Sequence, residues 1–231
     1  MWTFIHPLAL TMIFMLVFGL GFRSHAPIGE VPFVVWFLCG LFSWTFFSET
    51  VAQNTRIFNT YSYMVKKVNF RLSIIPLVKI FSNSVLHFIY LFFLVVVLLL
   101  LYSIPITIYW LQLIYYFAAM LLLTTGVSWL VSSINVFVKD VGQAMSIIIR
   151  LGFFATPIFW KIENVADQYQ FIFLLNPMYY ILQGYRDSFI NQVPFWEHPG
   201  MTFYFWGFTA VTLVVGIIVF IRLRPHFADV L

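Results

Sequence analysis

Hydrophobic positions along this chain gather into long runs, without the strict alternation of a half-buried strand. A helix needs about 20 apolar residues to cross the hydrocarbon core of a bilayer. Runs of that order occupy residues 2–21, 33–51, 79–101, 108–134, 142–159 and 201–223. Polar positions collect between them: a loop at 23–32, a basic segment at 54–76, turns at 102–107 and 135–141, and a tail at 222–231. The pattern predicts an all-α integral membrane protein with about six transmembrane helices, organised as a single domain over residues 1–231. No Lys or Arg precedes Arg23, so the first run lacks the basic n-region of a signal peptide and reads as a retained span.

The stretch 156–186 departs from this regularity. It is apolar enough to enter a membrane, yet Pro157 and Pro177 interrupt it and Lys161, Glu163, Asp167 and Arg186 punctuate it. Irregular backbone at membrane depth survives only where protein or a water-filled cavity satisfies its N–H and C=O groups. The expectation is a re-entrant helical pair between spans five and six, folded back near one membrane face and lining a path for something polar.

Composition narrows the class. Of 231 residues, 62% are hydrophobic and 9% charged, against about 25% charged in a soluble domain, so the bilayer is the solvent. The 29 Phe, 12 Tyr and 8 Trp exceed what interfacial belts use. They serve either as lipid-facing filler or as a lining on which sugar rings stack. The net charge of +4 reports topology and not nucleic acid. One set of loops holds Arg56, Lys66, Lys67, Arg71, Lys79, Lys139, Arg222 and Arg224; the other holds Arg23, Lys161 and Arg186. That asymmetry places both termini in the cytoplasm. The single cysteine, Cys39, excludes an internal disulfide and reads as a small buried hydrophobe.

Within the basic segment, Ile57, Tyr61, Met64 and Val68 recur at helical spacing. They predict a short cytoplasmic helix with Lys66, Lys67 and Arg71 around its other side. Such a helix either rests its cations on anionic lipid headgroups or docks into a cytoplasmic partner. Arg150 falls inside the fifth run, where a charge is a functional candidate unless it snorkels to the interface. The five histidines have no metal-ligand spacing. No GxxxxGK[ST] motif is present, so any nucleotide hydrolysis belongs to another subunit.

Several segments together resemble the membrane subunits of type-2 ABC exporters, most closely the branch that exports lipid-linked polysaccharides: teichoic acid, O-antigen and capsule permeases. They are Phe137-Val-Lys-Asp-Val-Gly-Gln143, Thr156-Pro-Ile-Phe159, Leu175-Asn-Pro-Met-Tyr-Tyr180 and Gly184-Tyr-Arg186, with Trp2-Thr-Phe-Ile-His-Pro-Leu8 at the start. Tyr63-Met-Val-Lys-Lys-Val68 resembles the branch's coupling helix, and Leu223-Arg-Pro-His-Phe-Ala-Asp-Val-Leu231 its tail. Within the branch, the Lys66–Lys67 region and the tail lean toward teichoic acid permeases. One departure is that the sequence opens on the Trp2–Pro7 motif, where members carry an amphipathic interfacial helix ahead of the first span.

The resemblance implies a half-transporter in a bacterial plasma membrane. Two copies form the path, and two ABC ATPase subunits, carrying ATP and Mg, bind below; no cofactor sits on this chain itself. Asn59, Tyr63, Met64, Lys66 and Lys67 would form the coupling helix between spans two and three. Lys66, Lys67, Arg71 and Arg150 are headgroup candidates for a polyprenyl-diphosphate-linked glycan. Trp36, Trp44, Phe46 and Phe47 would line the channel, and Pro157, Phe159, Asn176, Pro177, Tyr179, Tyr180 and Arg186 the external gate. The alternatives are a stand-alone membrane channel, which needs no coupling helix, and a lipid-carrier-modifying membrane enzyme, which needs convergent His, Asp or Ser inside the spans.

Overall fold

A computed structural model describes residues 9, 13, 33–66, 71–102 and 104–231. The predicted first span at 2–21, apart from Ala9 and Ile13, and the loop after it lie outside the described residues, as does Lys67. The described residues are all-helical, with no strand. Four of the helical segments are long and apolar enough to cross a membrane. They are α1 (Phe33–Thr55), α4 (Ile74–Leu101), α5 (Gln112–Phe137, entered through a 3₁₀ turn at Ile108–Leu111) and α9 (Pro199–Leu223). Two four-residue turns, α2 (Ile57–Thr60) and α3 (Ser62–Val65), join α1 to α4.

α1 is apolar around its whole circumference and lies at the centre of the bundle, packed by α4, α5, α6 (Asp140–Ala155) and α8 (Pro177–Arg186). A helix that is hydrophobic all round is a buried one. α9 leans chiefly on α5, and glycines set how near. A Cβ on Gly126 would lie 2.9 Å from the Leu213 backbone nitrogen, and one on Gly216 2.5 Å from the Gly126 carbonyl oxygen. Only glycine lets two backbones approach so closely, the small-residue packing that membrane helices use in place of a hydrophobic drive.

The predicted fifth span at 142–159 is shorter in the structure. α6 has 16 residues, about 24 Å at 1.5 Å per residue, less than the ~30 Å hydrocarbon core. Pro157 is the cause: it drives the preceding residue out of the helical region, and Thr156 is extended at φ −89°, ψ 133°. After this stop the chain runs through α7 (Asp167–Leu174) and α8, which continues in a π turn at Asp187–Asn191.

Two buried polar clamps tie the helices near the α1 C-terminus. Asn54 Nδ2 donates to Ser128 Oγ (3.0 Å) and to the Pro76 carbonyl (3.3 Å). Asn83 Nδ2 donates to Thr50 Oγ1 (3.0 Å) and Gln53 Oε1 (2.9 Å). At this same end a separate apolar cluster gathers Ile57, Phe58, Val65, Ile75, Val136 and Phe220 around Phe227 of the terminal turn α10 (Phe227–Val230). The opposite end is closed by Gln112, whose Nε2 donates to the Val193 carbonyl (3.1 Å) and whose Oε1 accepts from Phe195 N (2.6 Å).

Candidate functional site

Two X-Pro steps build the site. Asn176, like Thr156, is pushed to extended geometry (φ −76°, ψ 114°) by the proline after it. It thereby becomes the N-cap of α8: its side-chain oxygen accepts from Met178 N at 3.0 Å, with Pro177 at the first helical position. Its Nδ2 donates to Thr156 Oγ1 at 2.7 Å, and that hydroxyl donates to the Gly152 carbonyl at 2.7 Å. One side chain thus fixes the end of α6 to the start of α8.

Arg186 closes the arrangement. Its side chain is 1% exposed. Nη2 donates to the carbonyls of Pro157 (2.7 Å) and Ile158 (3.2 Å), and Nε to that of Trp36 (3.4 Å). The guanidinium carbon lies 3.3 Å from the Trp36 ring centroid. Carbonyls just past a helix end have no intrahelical partner, and here a cation from another helix satisfies them. The fork of planar donors suits this, and the Trp36 face adds a cation–π contact. Three separate segments, α1, the break and α8, meet on one side chain.

The neighbouring Asp187 is satisfied independently. Its Oδ1 accepts from Gln183 Nε2 (3.0 Å) and Asn191 Nδ2 (2.8 Å), and Oδ2 lies 3.3 Å from His198 Nε2. Burial raises the Asp187 carboxyl above the ordinary carboxylate range, against the pull of Asn191, His198 and Gln183. Between the break and α8 opens a cavity of about 310 Å³, with Trp36, Lys161, Glu163, Tyr179 and Arg186 in its wall.

Around it, Tyr180 Oη is within 2.9 Å of Tyr115 Oη and accepts from Thr202 Oγ1 at 3.1 Å, while Trp206 Nε1 donates to Tyr115 Oη at 2.7 Å. Tyr185 Oη meets His87 Nε2 at 2.8 Å in the core. Of the predicted gate residues, Pro157, Asn176, Pro177, Tyr179 and Arg186 gather at the break, while Tyr180 turns to Tyr115, Tyr116, Thr202 and Phe205. The Phe159 ring turns to α6, 5.8 Å from Phe153 and 5.9 Å from Phe154.

The predicted channel aromatics fall elsewhere. Trp36, Trp44 and Phe46 are 6%, 7% and 4% exposed. Trp36 lies under Arg186, Trp44 against Gly152, and Phe46 beside His87 and Phe117. These three rings are core within this subunit because α1 is surrounded; Phe47 alone of the four is partly exposed.

At the opposite end, the single helix expected from Ile57, Tyr61, Met64 and Val68 is two short turns over the described residues. Ile57, Phe58 and Val65 point inward, while Tyr61 and Tyr63 are exposed, Tyr63 by 56%. The inward set is chosen by the Phe227 peg, which a 3.6-residue period does not reveal. Met64 lines a groove of about 340 Å³ with Ile57, Tyr61 and Lys79. Asn59 is half-buried, and Lys66 and Arg71 are exposed at this end. Arg150 is exposed on the surface of α6. Sequence reasoning missed Asn54, Asn83, Ser128 and His87. For Asn83, Ser128 and His87 the signal is a polar side chain inside an apolar run, which is expensive unless paired, whereas Asn54 falls in the polar segment after the second run and carries no such signal.

Comparison with known proteins supplies a further finding. The sequence model of the ABC-2 type transporter family matches residues 1–190. The chain is similar to an O-antigen export system permease protein RfbA of Klebsiella pneumoniae, 29% identical over 233 residues, covering 100% of this chain and 86% of that protein. A second Klebsiella pneumoniae protein of that name is 27% identical over 232 residues, with the same coverage. One from Myxococcus xanthus is 25% identical over 202 residues, covering 86% of this chain and 73% of that protein.

Proposed function

The chain belongs to the ABC-2 type transporter family, and from that membership we propose that it is the membrane subunit of an ATP-driven exporter of lipid-linked polysaccharide of the O-antigen type. The observation that carries this reading is similarity along the whole chain to permeases named for O-antigen export. It moves the substrate from teichoic acid, toward which the Lys66 region and the tail leaned, to an O-antigen-like glycan on a polyprenyl diphosphate. The subunit is a transport component, and ATP and Mg belong to a partner ATPase.

In this reading six helices cross a bacterial plasma membrane, with the 2–21 run and α6 added to the four long helices. The end bearing Arg56, Lys66, Arg71, Lys79, Lys139, Arg222 and Arg224 faces the cytoplasm by the positive-inside rule. Two copies form the path. The ATPase engages the exposed side of α2 and α3, at Asn59, Tyr63, Met64, Lys66 and Lys67, and its nucleotide-driven motion enters there. Lys66, Lys67, Arg71 and Arg150 supply positive charge for the diphosphate at the cytoplasmic side. The Asn54 and Asn83 clamps carry the displacement to α1 and α4 together, and α1 reaches the outer gate through Trp36 and Arg186. Phe47 is the residue of the predicted lining that retains a surface for sugar.

Deletion of the gene in its native host is expected to remove long-chain glycan from the cell surface while lipid-linked glycan accumulates inside. Tagged chain should co-purify with an ABC ATPase in equal amount. Unchanged surface glycan, or clean recovery with no ATPase, rejects the proposal.

A further inference from the structure

We infer that the cavity between the break and α8 is a saccharide subsite, which holds one neutral hexose or deoxyhexose residue of the glycan as it leaves. The inference rests on the export reading above and adds a site to it. The cavity, about 310 Å³, sits at the small end of the range for ligand pockets. It has room for a sugar ring and not for a lipid.

The chemistry of its wall selects the ligand. Asp187 Oδ1 takes an amide N–H from both Gln183 and Asn191. An amide carries an acceptor oxygen beside its donor nitrogen, and among the described residues neither the Gln183 nor the Asn191 amide oxygen accepts a hydrogen bond, so both of these lining residues keep an acceptor. Glu163 adds a carboxylate that makes no ion pair among the described residues. The donors are Lys161, likewise in no ion pair among the described residues, and Arg186, whose Nε and Nη2 are spent on carbonyls while Nη1 makes no such bond among the described residues. A phosphate or diphosphate accepts only, and would meet three oxygen acceptors here. A sugar hydroxyl both donates and accepts, so a polyhydroxyl ring can use every group on the wall. Tyr179 and Trp36 also reach the wall, although both rings are otherwise buried and Arg186 covers a face of Trp36.

The site is preorganised. Trp36 is held by the guanidinium, and Gln183 and Asn191 by Asp187. A sugar bonded to Arg186 Nη1 would touch the same cation that ties the break to α8 and α1. Occupancy of the subsite therefore bears directly on the gate.

The test uses the complex with its ATPase in lipid nanodiscs, probed by saturation-transfer NMR with methyl glycosides of glucose, galactose, mannose and rhamnose, and with inorganic diphosphate. At least one glycoside is expected to receive saturation from the wild type. Affinity, read by titrating the saturation signal, should weaken about tenfold, the equivalent of 1.4 kcal/mol, in both Glu163→Ala, at an exposed side chain, and Lys161→Ala, at a half-buried one. Arg222→Ala, exposed at the other end of the bundle, should bind as the wild type does. No saturation with any glycoside, equal binding by the Glu163 and Lys161 variants, or a preference for diphosphate overturns the subsite. Complementation of the deletion strain is read in parallel. Surface glycan restored by wild type with no glycoside binding removes the subsite alone. Failure of the wild type to restore it removes the export reading, while the NMR result still decides the subsite.

Discussion

Arg186→Ala tests the clasp that holds the break closed. The replacement removes two well-formed charge-assisted hydrogen bonds, Nη2 to Pro157 O at 2.7 Å and to Ile158 O at 3.2 Å, and a weak one to Trp36 O at 3.4 Å. Hydrogen bonds to charged groups contribute about 1.5–3 kcal/mol each, and a desolvated cation–π contact about 2 kcal/mol. Releasing a buried cation from its desolvation penalty returns several kcal/mol of that total. The net expectation is a loss of about 3 kcal/mol, with the Pro157 and Ile158 carbonyls left without a partner. For a chain of this size that corresponds to a melting temperature lower by about 6–12 °C, read by thermal scanning of detergent-purified protein. A local readout accompanies it. Ile158, fully buried in the wild type, is changed to Cys, and its labelling by a membrane-impermeant thiol reagent should rise sharply when Arg186 is replaced. Arg186→Lys should fall between the two, because one ammonium cannot span three carbonyls and lie flat on Trp36. Unchanged melting and unchanged labelling in Arg186→Ala, or a Lys variant indistinguishable from wild type, would refute the reasoning.

Gly216→Ala places a methyl 2.5 Å from the Gly126 carbonyl oxygen; backbone does not yield cheaply, so a loss of about 1–3 kcal/mol should appear as a lower melting temperature. Phe227→Ala empties the centre of the second apolar cluster, at the α2–α3 end, at a cost of about 3–5 kcal/mol, and ATP hydrolysis by the purified complex should persist while export of glycan falls. Trp44→Ala should lower thermal stability by about 3–5 kcal/mol as a core deletion, whereas Phe47→Ala, at a partly exposed ring, should lower melting clearly less and reduce surface glycan. Identical behaviour of those two variants would return Trp44 to the channel lining.

Much of the architecture was legible in the chain. The four long helices follow from unbroken apolar runs, and the break at 156–186 from two prolines and four charges. The Asn176-Pro177 pair carries its own capping chemistry, which sets the start of α8. The misreadings share one cause. α1 is apolar on every side, so nothing in its sequence says whether Trp36, Trp44 and Phe46 face lipid, a path or their neighbours. The turns at 57–65 carry a helical period, but the peg that orients them is Phe227, far along the chain.

By itself, the sequence determined that this protein lives in a bilayer, roughly where its main helices lie, and where the backbone must break. These are local matters: hydropathy is set residue by residue, and proline restricts only itself and the residue before it. Only the tertiary structure decided that Arg186 binds the carbonyls of Pro157, Ile158 and Trp36, the last 150 residues away. Every residue carries the same carbonyl, so its partner has no sequence signature. Which carbonyl a buried cation finds depends on how the helices pack, and that packing was set by glycines and rings brought together from distant parts of the chain.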